Sequence, residues 1–216
     1  MKKKTYFWIC SFVTVLLVIN TGCYNGNHTQ EAKIDCIGVQ PASIPSGSLE
    51  KVERDYWVTS SAPEYINMYI YVPLELSDKP PVVVSCHSCG NSANGQFGNN
   101  KKVRAAADKE GFILVFPDNK QRNCWDVGTQ KALTHDGGGD TNAIALMTKY
   151  ALCAYNGDQK RVFVMGGSSG AMMTQALLAV YPDVFKAGSA RAGVPAGCWA
   201  EGYNDRNQWG GICSGG

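Results

Sequence analysis

Five residues, Gly166-Gly167-Ser168-Ser169-Gly170, constrain this protein more than any other stretch. A β-rich run (RVFVM) leads into them and an Ala/Met/Leu-rich run leads out. A bare G-x-S-x-G pattern is a weak signal, but these flanks make it the strand–turn–helix of a nucleophile elbow. So sharp a bend admits only small residues at Gly166 and Gly170. It would present the Ser168 hydroxyl at the carboxyl end of a sheet. The helix N-terminus would then aim its free N–H groups and its dipole at charge developing on an attacked carbonyl. Ser168 is therefore the expected catalytic nucleophile. The bland alternative is a Gly/Ser-rich turn without chemistry.

The surrounding pattern predicts the architecture. Residues 52–59 and 66–72 read as an antiparallel β pair, the second run stopping at Pro73. Val82-Val83-Val84 is a continuous apolar run suited to a strand buried on both faces. A loop of small residues is expected over 86–99, then a helix over 101–110 ended by Gly111, then a buried strand over 112–116. A long loop should span 117–139. Asp140 is the expected N-cap of a helix over about 141–154. A strand over 162–165, the helix over 169–180 and a strand over 186–192 complete the series. Strands alternating with helices after an antiparallel start predict an α/β fold with a mostly parallel sheet and helices on both faces.

Charge narrows the partners. Lys and Arg total 20 against 18 Asp and Glu, a net charge of +2, which argues against a nucleic-acid binder working through a basic face. Apolar residues make up 44% of the 216, enough for a globular core in one domain.

The N-terminus reads as an address. MKKK precedes a 14-residue apolar run over 6–19, which is shorter than the roughly 20 residues of a membrane-spanning helix. Residues 1–22 are expected to be a secretory signal peptide. The alternatives are an uncleaved membrane anchor and a lipid anchor on Cys23. Residues 23–46 read as a linker or loose arm, with one glycosylation sequon at Asn27-His28-Thr29. The domain proper is expected over 47–216. The nine cysteines agree with export, since an oxidising compartment lets some pair. Cys86 and Cys89 form a CxxC, but it ends a strand instead of opening a helix, so it is not read as a redox motif. No second CxxC or His pair supports a structural zinc site.

His87-Ser88-Cys89-Gly90 follows the first buried strand, where the second oxyanion donor of such a fold would lie. The backbone N–H groups of Cys89 and Ser169 are expected to converge there. A Cys89 thiolate nucleophile is the competing reading.

With these segments in view, the sequence resembles the secreted esterases that include acetyl xylan esterases, feruloyl esterases and poly(3-hydroxybutyrate) depolymerases. The likeness is carried by NMYIYVP (67–73), His87-Ser88-Cys89, GFILVFP (111–117), Cys124-Trp125-Asp126-Val127, LTHDGGGD (133–140), GGSSGAMM (166–173), YPDVF (181–185) and GVPAGC (193–198). It runs from about residue 47 to the end and is greatest toward the acetyl xylan and feruloyl esterase branch. The resemblance implies an α/β-hydrolase fold, Ser168 as nucleophile, Cys89 and Ser169 as oxyanion donors, and disulfides Cys89–Cys124 and Cys198–Cys213. Cys86 and Cys153 then read as buried free thiols. Trp125 would line the cleft or pack under its loop. No cofactor or metal is implied. The implied substrate is an esterified plant polysaccharide or a small ester.

The sequence departs from that pattern in one respect. A serine esterase of this fold places its acid and then its histidine after the nucleophile. The three histidines, His28, His87 and His135, all precede Ser168. His87 is expected to fix the oxyanion loop and His135 to have a structural part. Asp183 reads as a turn residue and Asp205 lies in a polar loop. The acid and base are thus expected to be absent from these 216 residues. The last strands of the sheet are expected to be missing, the polypeptide being truncated at its C-terminal end. An intact member would be a secreted carboxylic ester hydrolase forming an acyl-enzyme. The contrasting expectation is a non-catalytic relic or carbohydrate-binding surface lipoprotein. Among enzymes, a poly(3-hydroxybutyrate) depolymerase or a peptidase stays open, because the elbow alone selects no substrate.

Overall fold

A computed structural model describes residues 34–36, 39, 46–120 and 124–198. The expectations for the signal peptide, Cys23, His28, Asp205 and Cys213 lie outside the described residues.

Six strands form one mixed sheet in the order β1-β2-β4-β3-β5-β6. They are β1 (Leu49–Val52), β2 (Ile66–Tyr71), β3 (Val82–Cys86), β4 (Ile113–Asn119), β5 (Val162–Gly167) and β6 (Ala187–Arg191). β2 runs antiparallel to both β1 and β4, while β4, β3, β5 and β6 are mutually parallel neighbours. The helices are α1 (Arg54–Trp57), α2 (Ala93–Asn99), α3 (Lys101–Glu110), α4 (Asp140–Ala154) and α5 (Ser169–Val180).

The two-residue repeat of the strands sorts side chains between two cores. Val82, Val84, Ile113 and Val115 join Met147, Met173 and Leu177 of α4 and α5 in the larger core. Val83, Leu114 and Phe116 point the other way, onto Ala93 and Phe97 of α2 and Ala107 of α3. Helices therefore cover both faces, as the strand–helix alternation predicts. β6 has β5 as its neighbour among the described strands, and all five of its residues are exposed.

Several boundaries differ from the sequence reading. The strand expected over 52–59 is short and gives way to α1. Arg54 turns the backbone there, its guanidinium donating to the carbonyls of Ala62, Pro63 and Ile66 at 2.7–3.2 Å. The expected loop over 86–99 contains α2, despite its two glycines. Ser92 caps it by accepting from the Gly95 N–H at 3.2 Å, and the Ala93 N–H donates to Asp118 Oδ1 at 2.9 Å. Long-range anchoring outweighs weak intrinsic propensity here. β4 continues through Pro117. β3 pairs with β4 over Val82–Val84 alone, so Pro117 interrupts no ladder with β3.

Cys153 is not a free thiol. It pairs with Cys36, 117 residues away, and the Ile34 N–H donates to Gln159 Oε1 at 3.1 Å. Part of the expected loose arm is thereby tied to α4. Cys198 is also disulfide-bonded, its expected partner Cys213 being outside the described residues. Among the described residues no helix is long and apolar enough to cross a membrane.

Candidate active site

β5 leads into the bend and α5 leads away from it. Ser168 sits between them with φ 54° and ψ −122°, a region that non-glycine residues rarely occupy. Strain of this kind persists where surrounding structure over-determines it, and it clusters at functional sites. The determinants are visible. The Ser168 N–H donates to the Arg191 carbonyl at 2.9 Å, and the Ser168 carbonyl accepts from Ala171 and Met172 at 2.9 and 3.1 Å. A Cβ on Gly166 would meet the Gly170 carbonyl at 2.3 Å. One on Gly170 would meet the Cys86 carbonyl oxygen at 2.3 Å and that of His87 at 2.8 Å. Both glycines are required by contact, and the second contact brings the start of α5 against the loop after β3. The Ser168 side of the bend is exposed, whereas Ser169 is fully buried.

Ser169 opens α5, so its N–H is among the four that the helix cannot satisfy itself. Its hydroxyl oxygen accepts from the Trp125 backbone N–H at 2.9 Å. The Trp125 indole N–H donates to the His87 carbonyl at 2.8 Å, and the two rings lie 4.6 Å apart. Trp125 is 2% exposed, so it does not line the cleft. It packs under the loop, because both of its N–H donors find acceptors there. Cys89 and Cys124 are joined by a disulfide, which removes the Cys89 thiol as a nucleophile. Cys86 is a buried free thiol held protonated by burial.

His87 is fully buried. Its Nδ1 lies 2.8 Å from the Ser88 carbonyl and must therefore carry the proton. Its Nε2 accepts from the Asn119 N–H at 3.2 Å. Burial lowers its proton affinity, opposed by the Ser88 carbonyl and the Asp118 charge. With both nitrogens committed, His87 holds the loop and is not a free base. His135 stands between two carboxylates, 3.1 Å from Asp136 and 3.2 Å from Asp183. Asp183 follows the C-terminal end of α5, whose 12 residues span about 18 Å, so His135 is tethered at the end away from Ser168.

Asp140 reads from sequence as a helix cap. Gly139 takes that position instead, and the Asp140 carboxylate is fully buried. It accepts from the Tyr65 hydroxyl at 2.7 Å, the Asp126 N–H at 2.9 Å and the Asn119 side-chain amide at 3.3 Å. Through Asn119 it reaches His87, and through Asp126 it holds the segment carrying Cys124 and Trp125. Sequence reasoning missed this network, whose one outward sign is an aspartate directly after three glycines. Among the described residues no group of three His, Cys, Asp or Glu could hold a metal ion.

This arrangement suits acyl transfer: an exposed hydroxyl on a strained bend, a helix N-terminus behind it and a rigidly held loop beside it. Comparison with known proteins agrees. The "Esterase PHB depolymerase" family model matches residues 66–202. A probable acetylxylan esterase A from Aspergillus fumigatus is 42% identical over 172 residues, covering 79% of this chain and 45% of that protein. Acetylxylan esterase A from Aspergillus oryzae is 41% identical over 170 residues, covering 78% of this chain and 54% of that protein. An acetyl xylan esterase structure from Aspergillus awamori superposes with a TM-score of 0.67 at 39% identity, over 72% of this chain and 56% of that one. A poly(3-hydroxybutyrate) depolymerase from Bordetella parapertussis, at 19% identity and a TM-score of 0.50 over 67% of this chain and 52% of that one, shares the fold alone. The chain spans about half the length of the curated relatives it matches. On its α/β-hydrolase architecture and a match over most of its length, the chain belongs to the esterase PHB depolymerase family.

Proposed function

We propose that this polypeptide supplies the nucleophile and the oxyanion hole of an exported serine carboxylic ester hydrolase that removes acetyl groups from xylan. The observation that carries the reading is Ser168, exposed at φ 54° at the N-terminus of α5. Its oxygen attacks the ester carbonyl, and the resulting oxyanion is held by the Cys89 and Ser169 N–H groups. The tetrahedral adduct expels the sugar alcohol, leaving acetyl-Ser168. Water then attacks that ester, releasing acetate and restoring the hydroxyl. The Ser168 proton goes to a base that none of the described residues supplies. No cofactor takes part in these steps.

The acetyl xylan preference is supported by the names of the relatives at about 40% identity. Export is supported by the apolar run after MKKK and by disulfides that an oxidising compartment maintains. The test is hydrolysis of p-nitrophenyl acetate and release of acetate from acetylated xylan, by the protein that includes these residues and by its Ser168→Ala variant. Both activities should fall by about 10⁴-fold or more in the variant. Retained p-nitrophenyl acetate turnover would remove Ser168 as nucleophile. Turnover of that ester without any release from xylan would refute the substrate.

A further inference from the structure

We propose that the cavity between α1, α4 and the disulfide-tied arm is a second, non-catalytic site that takes one sugar ring of a neutral polysaccharide. The cavity has a volume of about 180 Å³. That is smaller than the roughly 300–1,000 Å³ of pockets enclosing whole drug-sized molecules. It is the size for one ring of a longer polymer lying across the surface. Tyr56, Trp57 and Tyr150 supply aromatic wall, with Lys149 and Thr59 beside them. Tyr56 is 53% exposed, against 8% for Tyr150, and the two rings are tilted by 42° with centroids 6.5 Å apart. They form an open angle instead of covering one another. Aromatic rings beside hydroxyl and ammonium groups match a sugar, which offers C–H faces and hydroxyls together. Asp35 and Lys149 put one charge of each sign on the wall, so nothing favours an ionic guest.

Two further features bear on this wall. Trp57 is 1% exposed, and its indole N–H is one of two buried side-chain donors without an acceptor among the described residues. That donor has almost no solvent access, so Trp57 contributes apolar wall and not a hydrogen bond to a guest. The Cys36–Cys153 disulfide holds Asp35 against α4, so the wall is preformed. Tyr150 lies ten residues along α4 from Asp140, about 15 Å by helical rise. The site is thus separate from the bend at Ser168. A second contact of this kind raises the effective concentration of a polymer at the catalytic serine. The choice of a sugar over other polyols rests on the polysaccharide substrate proposed for Ser168.

Affinity electrophoresis through gels containing deacetylated xylan, glucomannan or β-glucan reads this site without any ester hydrolysis. The protein should be retarded by at least one of these polymers. Tyr56→Ala should raise the dissociation constant about five- to tenfold with unchanged thermal unfolding, and Tyr56→Trp should restore binding. No retardation by any of the polymers, leaving a cavity filled by solvent only, would overturn the proposal. Equal retardation of Tyr56→Ala would overturn it as well. Retardation by glucomannan but not xylan would support the site while counting against the xylan reading. Loss of p-nitrophenyl acetate turnover with retardation intact would sink the esterase and leave this site standing.

Discussion

Trp125 and Ser169, 44 residues apart, are joined by a 2.9 Å hydrogen bond from the backbone of the first to the hydroxyl of the second. The same tryptophan donates its indole N–H to the His87 carbonyl at 2.8 Å. One buried residue therefore spans the loop after β3 and the N-terminus of α5, which carry the two proposed oxyanion donors. Trp125→Phe keeps most of the ring and deletes the indole bond, leaving the His87 carbonyl without that donor. The cost should be about 1–3 kcal/mol in urea unfolding. If the tryptophan positions the oxyanion loop, kcat for p-nitrophenyl acetate should fall while KM changes little. A loss of stability with kcat intact would reduce Trp125 to packing.

The backbone at Ser168 stores strain that glycine would not feel. Ser168→Ala removes the hydroxyl and keeps the strain, whereas Ser168→Gly releases it at some entropic cost. The glycine variant should be more stable than the alanine variant by about 1 kcal/mol in chemical denaturation. Equal or reversed stabilities would mean that φ 54° carries no penalty here.

His87 makes stability depend on pH. Burial holds its folded-state pKa below the ordinary value. As pH falls below about 6.5 the unfolded state binds a proton that the folded protein resists. Stability is therefore present above that pH and is lost as the pH falls toward the folded value. The contribution is at most about 1.4 kcal/mol per pH unit. Urea unfolding at pH 7.5, 6.0 and 5.0 should show a steeper acid loss in the native protein than in His87→Gln. Parallel profiles would show that another group is responsible.

The two described disulfides close loops of different length, 117 residues for Cys36–Cys153 and 35 for Cys89–Cys124. Loop-closure entropy assigns them upper values of about 5 and about 4 kcal/mol. Replacing either pair by serine should lower stability, the longer loop at least as much as the shorter. Loss of Cys89–Cys124 should also lower kcat, because it releases the loop that carries the Cys89 N–H. Unfolding midpoints and p-nitrophenyl acetate kinetics on the two double variants separate these effects.

Much of the fold could be read from local pattern. Val82-Val83-Val84 and the run over 112–116 are apolar without interruption because a parallel strand is covered on both faces. Gly111 ends α3 at φ 67°, as a left-handed cap requires. The bend at Ser168 was legible because a strand, five small residues and a helix stand together in the sequence, and its steric demands act over those five residues.

Other features depended on partners far away in the sequence. No local signal distinguishes a cysteine that pairs with Cys36 from one left free at position 153. Asp140 has the residue type of a helix cap, and only assembled tertiary structure turns its carboxylate toward Tyr65, Asn119 and Asp126. The segment forming α2 has weak helical propensity, and its helix follows from Ser92 and from Asp118 at the end of another strand. The amino-acid sequence by itself determined the buried parallel strands, the three longer helices and the serine bend, because periodicity and sterics act between near neighbours. Which side groups are buried, bonded and held around that bend was decided by tertiary contacts across tens of residues, whose free energy exists only once the sheet is assembled.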